Sequence, residues 1–189
     1  MEADFESLKE KVTHYQEILQ NTLSYRKKWK DTLSKEIEHF LQKAVSEAGI
    51  PGKVERRGNM ENLEAVLLTL GTVKSGMYEV VGEEIQRHLI KQNGALIYQQ
   101  MFNGKIMVMV HYPFIESLGQ PSKPRMLGIY RPKELSKQSY LSHLEKFMHD
   151  MVQWEDYDDD EPNQRIGYRL NFTPGPEEDV AEVSAEAGE

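Results

Sequence analysis

The chain has 189 residues, a length that suits one domain or one domain with an extension. At 39% hydrophobic and 29% charged residues it is too apolar for a disordered chain and too polar for a membrane one. The absence of cysteine excludes disulfides, thiolate nucleophiles, zinc ribbons and iron–sulfur clusters.

The formal net charge of -8 is unevenly spread. Residues 1–150 carry 21 Lys and Arg against 19 Asp and Glu, whereas residues 151–189 carry 2 against 12. The acidity therefore belongs to the C-terminal part, and the rest is nearly neutral. No run approaches the ~18 apolar residues of a bilayer span. The opening MEADFESLKEK has no apolar stretch of the kind a secretory leader needs, so a cytoplasmic protein is expected.

Between Phe5 and Val45 there is no Pro or Gly, and apolar residues recur at helical spacing: Phe5, Leu8, Val12, Tyr15 and Leu19, then Trp29, Leu33, Ile37, Phe40, Leu41 and Ala44. Gly49, Ile50 and Pro51 supply the stop. A continuous helix of this length would extend about 65 Å, more than a compact domain of this size is wide. Between Leu19 and Trp29 the stripe passes through Thr22 and Arg26, and Asn21, Thr22 and Ser24 favour caps over helix interiors. Two outcomes follow: a break near residues 21–24 that folds the segment into a helical hairpin, or an unbroken helix whose stripe forms a coiled coil with a second copy.

From residue 53 the period changes from 3.6 to 2. Lys53–Arg57 and Leu63–Leu70 are expected as strands joined by the turn-rich Gly58–Asn62. Val81–Gln92 is expected as a short helix stopped by Asn93-Gly94. Ala95–Phe102 and Lys105–Tyr112 flank Asn103-Gly104, which predicts a two-residue type I′ hairpin with positive φ at both turn residues. In the second strand Ile106, Val108, Val110 and Tyr112 share one face and Met107, Met109 and His111 the other, the pattern of a central strand covered on both sides.

Residues 113–124 hold three prolines and a glycine and form a long loop of the kind that carries function. Arg125–Arg131 is expected as a strand. Pro132 is expected to open a helix from Lys133 to about Asp156, with Tyr140, Leu144, Phe147, Met151 and Trp154 inward. An acidic linker follows, then an alternating strand over Gln164–Phe172 and an acidic tail from Gly175 that is expected to be disordered. The fold class is α+β: a long N-terminal helix or helical hairpin over residues 1–48, then a mainly antiparallel sheet of five to six strands covered by helices over 49–174, then the tail over 175–189.

Chemical motifs are sparse. There is no Gly-x-Gly-x-x-Gly, P-loop, Gly-x-Ser-x-Gly, His-Glu-x-x-His or EF-hand loop. His143, Glu145 and His149 do not place both imidazoles on one helical face at i, i+4, so no metal site is expected there, and no cofactor is implied. His111, near Glu116, has a pKa suited to a general base or ligand, against the commoner fate of a core histidine. Arg125, Tyr130 and Arg131, with Lys123 and Lys133, gather cations near the start of the last helix where a phosphate or carboxylate could bind; surface cations need no such purpose. Arg26-Lys27-Lys28-Trp29-Lys30 interleaves cations with an aromatic, as a nucleic-acid site would, although on a helix Trp29 simply continues the apolar stripe.

Three functional classes follow. The first is a homo-oligomeric interaction or assembly protein, a homodimer or larger, joined through the N-terminal helix and able to present its sheet to a protein partner. The second is a small-molecule binder or enzyme with a pocket between sheet and helix and His111, Tyr112, Arg125, Tyr130 and Arg131 as candidate residues. The third is a nucleic-acid binder using Arg26 to Lys30 and Arg56-Arg57, with an autoinhibitory acidic tail. The near-neutral body argues against that third class, and no membrane association is expected.

Overall fold

A computed structural model describes residues 5–81 and 85–156. The acidic linker, the strand expected over Gln164–Phe172 and the acidic tail all lie outside the described residues. The fold is α+β.

The N-terminal segment is one unbroken helical rod made of α1 (Glu6–Lys28), a π-helical turn (Trp29–Leu33) and α2 (Ser34–Ala48), ended by Gly49 in a left-handed conformation. There is no break at residues 21–24, so the helical hairpin is ruled out. The weak helix formers there are accommodated locally: the Thr22 hydroxyl donates to the Ile18 carbonyl at 3.0 Å, within the helix itself. The irregularity falls one turn later. Trp29, Leu33, Ile37 and Leu41 are all buried and spaced by four, a period that drifts around a regular helix of 3.6 residues per turn. Widening the first of these steps to a π turn slows the drift and keeps all four side chains on the sheet.

Five strands form the main antiparallel sheet in the order β1 (Lys53–Arg57), β2 (Ala65–Thr69), β5 (Ala95–Gln100), β6 (Ile106–His111) and β8 (Arg125–Tyr130). A second sheet, in the order β3 (Thr72–Val81), β4 (Ile85–Gln92) and β7 (Phe114–Ile115), grows out of its end. The Leu70 N–H donates to the Gly94 carbonyl at 3.1 Å and the Asn93 N–H to the Gly71 carbonyl at 2.9 Å. The β2–β5 ladder thereby continues directly into β3–β4, and the two pairs are halves of one long ribbon whose outer half projects as a wing.

The wing replaces the helix expected over Val81–Gln92. Ile85 and Leu89 are four apart, a spacing that shares a face in a strand as well as in a helix, and pairing with β3 from Thr72↔Gln92 to Val81↔Ile85 decides between them. The β5–β6 turn also differs from expectation. Only Gly104 has positive φ; the Gly104 N–H donates to the Met101 carbonyl at 2.8 Å, and the Met101 N–H to the Lys105 carbonyl at 2.8 Å. This is a type I turn closed by a glycine bulge, a three-residue loop rather than a two-residue one.

The rod and α3 (Lys137–Glu155) cover one face of the main sheet. Trp29, Leu33, Ile37 and Leu41 meet Val66, Leu68, Leu96 and Tyr98 of β2 and β5, while Tyr140, Leu144, Phe147 and Met151 of α3 complete the core with Val108 and Val110 of β6. Each fully buried side chain of this size favours the fold by about 1.5–3 kcal/mol. Helix α3 begins four residues later than Pro132 predicts, because Ser136 and Ser139 form a reciprocal capping box and Leu135 is buried ahead of it. The opposite sheet face is not covered by a helix among the described residues. There Met107 and Met109 are half-buried and His111 is exposed, so β6 is central but covered on one side only.

Candidate functional site

The five candidate residues do not form one site, although Tyr112 lines the same cavity as His111. Tyr112, Arg125 and Tyr130 face α3. The Arg125 guanidinium pairs with Asp150 at 2.5 Å, and the Tyr112 hydroxyl reaches the same carboxylate at 3.4 Å. Asp150 is buried on α3, and these two partners supply the counter-charge and hydrogen bond that a buried carboxylate requires. Burial raises the Tyr112 phenol pKa, and the Asp150 charge reinforces that shift.

Tyr130 belongs to a second lock. The His143 ring lies between two hydroxyls, with Nδ1 at 3.1 Å from Tyr98 and Nε2 at 3.1 Å from Tyr130. A neutral imidazole donates through one nitrogen and accepts through the other, so both are satisfied without a charge. Burial pushes the His143 pKa down to about 4, and Lys146 on the same helix adds to the shift. Burial likewise drives the Tyr98 phenol far above its usual value. Gly128 makes room for this lock, since a Cβ there would stand 2.7 Å from the Tyr130 hydroxyl.

Arg131 lies at the exposed turn before α3. Its own N–H is taken at 2.6 Å by the Glu134 carboxylate, which occupies the place an incoming anion would need. The cation–aromatic stretch on the rod is equally committed. Trp29 is 2% exposed inside the core, Arg26 donates to the Phe102 carbonyl, and Lys30 pairs with Glu61 at 2.7 Å. Trp29 therefore cannot stack on a base.

His111 faces the open side of the sheet. There two adjoining cavities of about 480 Å³ and 380 Å³ share Arg57, Leu67, Ile97 and His111. Residues Phe114, Pro121 and Ser122 of the long loop close one end. The groove lies on the face away from the helices, not between sheet and helix. The smaller cavity is mainly apolar, the larger also holds Lys53 and Glu55, and Arg57 has no ion pair among the described residues. Partial burial lowers the His111 pKa, and the nearby Arg57 charge lowers it further. In sequence Arg57 stands out only as half of the basic pair Arg56-Arg57; the register of β1 against β2, with Arg57 opposite Ala65, brings it to this face. Glu116 is not part of this arrangement, since it pairs with Arg87 at 3.6 Å. Among the described residues, no cluster of three His, Asp or Glu could hold a metal ion.

The most unusual surface is on α1, none of whose residues is buried. Phe5, Leu8, Val12, Tyr15, Leu19 and Leu23 are each 47% to 61% exposed. At 3.6 residues per turn they fall within an arc of about 80°, with Ile18 at its margin. The rod first meets the body where the hairpin tip rests against it: a Cβ on Gly104 would lie 2.8 Å from the Tyr25 Cβ and 2.9 Å from the Thr22 carbonyl oxygen. Glu6 to Asn21 thus form an arm about 24 Å long beyond that contact. The sequence stripe anticipated the arm, except for Leu23, which follows Leu19 by four where the expected seam stepped to Thr22.

No protein-family model, curated protein or solved structure matches the chain. Among the described residues, no helix is long and apolar enough to cross a membrane.

The His143 lock carries a pH prediction. Its folded pKa of about 4 lies below the ordinary 6.5, so between these values the unfolded chain binds a proton that the folded one excludes. Stability is complete above pH ~6.5 and falls as pH drops toward ~4, by up to about 3 kcal/mol. Urea titrations across this range are expected to show the decline in the parent and a flatter profile in His143→Gln. Parallel profiles in the two proteins would contradict the assignment.

Proposed function

We propose that the protein is a homo-oligomeric interaction protein whose self-association surface is the α1 arm. One observation carries the reading: six large apolar side chains lie in a single stripe on a helix with no buried residue. Together they expose on the order of 500 Å², comparable to the largest apolar patch of a typical monomer but concentrated on one narrow element. An arm of this length without packing is marginal as a helix in water, so its stability calls for a surface to pack against. A second copy supplies one, and adding the aliphatic stems of Lys9, Gln16 and Gln20 brings the buried area toward the ~800 Å² per partner of ordinary interfaces.

Sedimentation of the full chain tests this. The parent is expected to run as a dimer or larger, and the double variant Leu8→Glu, Leu19→Glu as a monomer with its sheet signature in circular dichroism unchanged. An identical mass for the two proteins would remove the arm as the interface.

The open-face groove supports a second reading, a site for a ligand that combines an apolar body with an anionic group. Leu67, Ile97 and Met109 offer the apolar surface and Arg57 a cation with no ion pair among the described residues. The anionic fluorophore ANS is a suitable probe. Its emission is expected to rise on the parent and to need several-fold higher concentration on Arg57→Ala, whereas equal binding to both proteins would count against the groove.

A further inference from the structure

The proposed arm has a direction. Within α1, residues 6–17 carry three acidic and two basic side chains, and residues 18–28 carry three basic and no acidic ones. The helix is therefore basic toward the body and close to neutral beyond it. Two copies aligned in parallel would bring their Arg26-Lys27-Lys28 stretches together and oppose like charges along the pair. They would also bring both hairpin tips, which begin at Thr22, to the same end. Opposed copies keep the two basic stretches at opposite ends of the pair.

The apolar stripe selects a register for the opposed arrangement. When Leu8 of one copy is level with Leu23 of the other, Val12 falls level with Leu19 and Tyr15 with Gln16, so each large side chain on the outer turns meets another. A parallel pair sets the stripe residues up to Leu19 on their own copies, but its heptad then continues through Thr22 to Arg26 and sets Arg26 on Arg26. Leu23 remains open because the hairpin tip touches Thr22 and Tyr25, to one side of the stripe.

The opposed register also accounts for Phe102. This residue sits at the hairpin tip with 71% of its surface exposed, and its carbonyl accepts from Arg26. In the same register Phe5 of the second copy arrives level with Arg26, beside Phe102, and extends the apolar contact onto the body. We infer that the α1 arms form an antiparallel pair, with Leu8 against Leu23, Val12 against Leu19, and Phe5 of each copy against Phe102 of the other. This rests on the arm being the self-association surface.

The chain has no cysteine, so single substitutions report contacts without background. Full-length Leu8→Cys and Leu23→Cys proteins are mixed, allowed to exchange, and oxidised mildly. The mixture is expected to give a disulfide between the two variants several-fold above either protein alone, and Phe5→Cys with Phe102→Cys is expected to behave likewise. Self-linking of Leu8→Cys alone would overturn the antiparallel arrangement in favour of a parallel one. A particle that sediments as a dimer but gives none of these links would also overturn it. A parent chain that sediments as a monomer would instead remove the assembly reading on which it rests.

Discussion

The structure depends on a single uninterrupted helical rod that must satisfy two surfaces at once. Downstream of Lys28 it fills the core through Trp29, Leu33, Ile37 and Leu41; upstream of Thr22 it leaves the body altogether. A helix can break between such duties or stay whole and adjust its winding. This one stays whole, and the π turn at Trp29–Leu33 makes the adjustment. Because the rod is continuous, the direction of the arm is set by the packing of the core. A rigid arm is better suited than a hinged one to a defined partner geometry.

The body holds that rod with apolar packing and with polar groups that are largely satisfied internally. His143 is bracketed by Tyr98 and Tyr130, Asp150 by Arg125 and Tyr112, and the base of α3 is tied to β4 where Lys91 pairs with Glu155 and lies 4.8 Å over the Trp154 ring. These contacts fix α3 and the rod side by side on one sheet face. They also explain why several residues that resemble a binding site by type serve as structural locks: Arg125, Tyr112 and Tyr130 already have partners on α3. Among the described residues, the surfaces left for interaction are the arm, the wing with its exposed Tyr78, Val80 and Ile85, and the open sheet face.

Much of the architecture was legible in the sequence because burial imposes period. The helical character of residues 5–45, the β1–β2 and β5–β6 pairs, β8 and the stripe of α3 follow from spacing and turn residues, whereas the continuity of the rod through residues 21–24 does not. Misjudged elements have spacing that suits two structures, or ends set by distant contacts. Ile85 and Leu89 fit a strand or a helix equally, and β3 decides. Asn103-Gly104 suits a type I′ turn, but the chain uses the glycine alone and presses it against Thr22 and Tyr25. Of the candidate site, His111 was found by its residue type, whereas Arg57 beside it required the sheet register. Arg125 and Tyr130 drew attention as cation and phenol, and nothing nearby in sequence announces Asp150 or His143 as their partners.

Amide hydrogen exchange over Glu6–Asn21 of the full-length protein, measured across a wide range of protein concentration, reads out whether the arm is packed against a second copy. Slow exchange is expected at high concentration and loss of protection on dilution through the dissociation range, while β5 and β6 remain protected throughout. Protection of the arm that does not change with dilution, or fast exchange at every concentration, would contradict that packing.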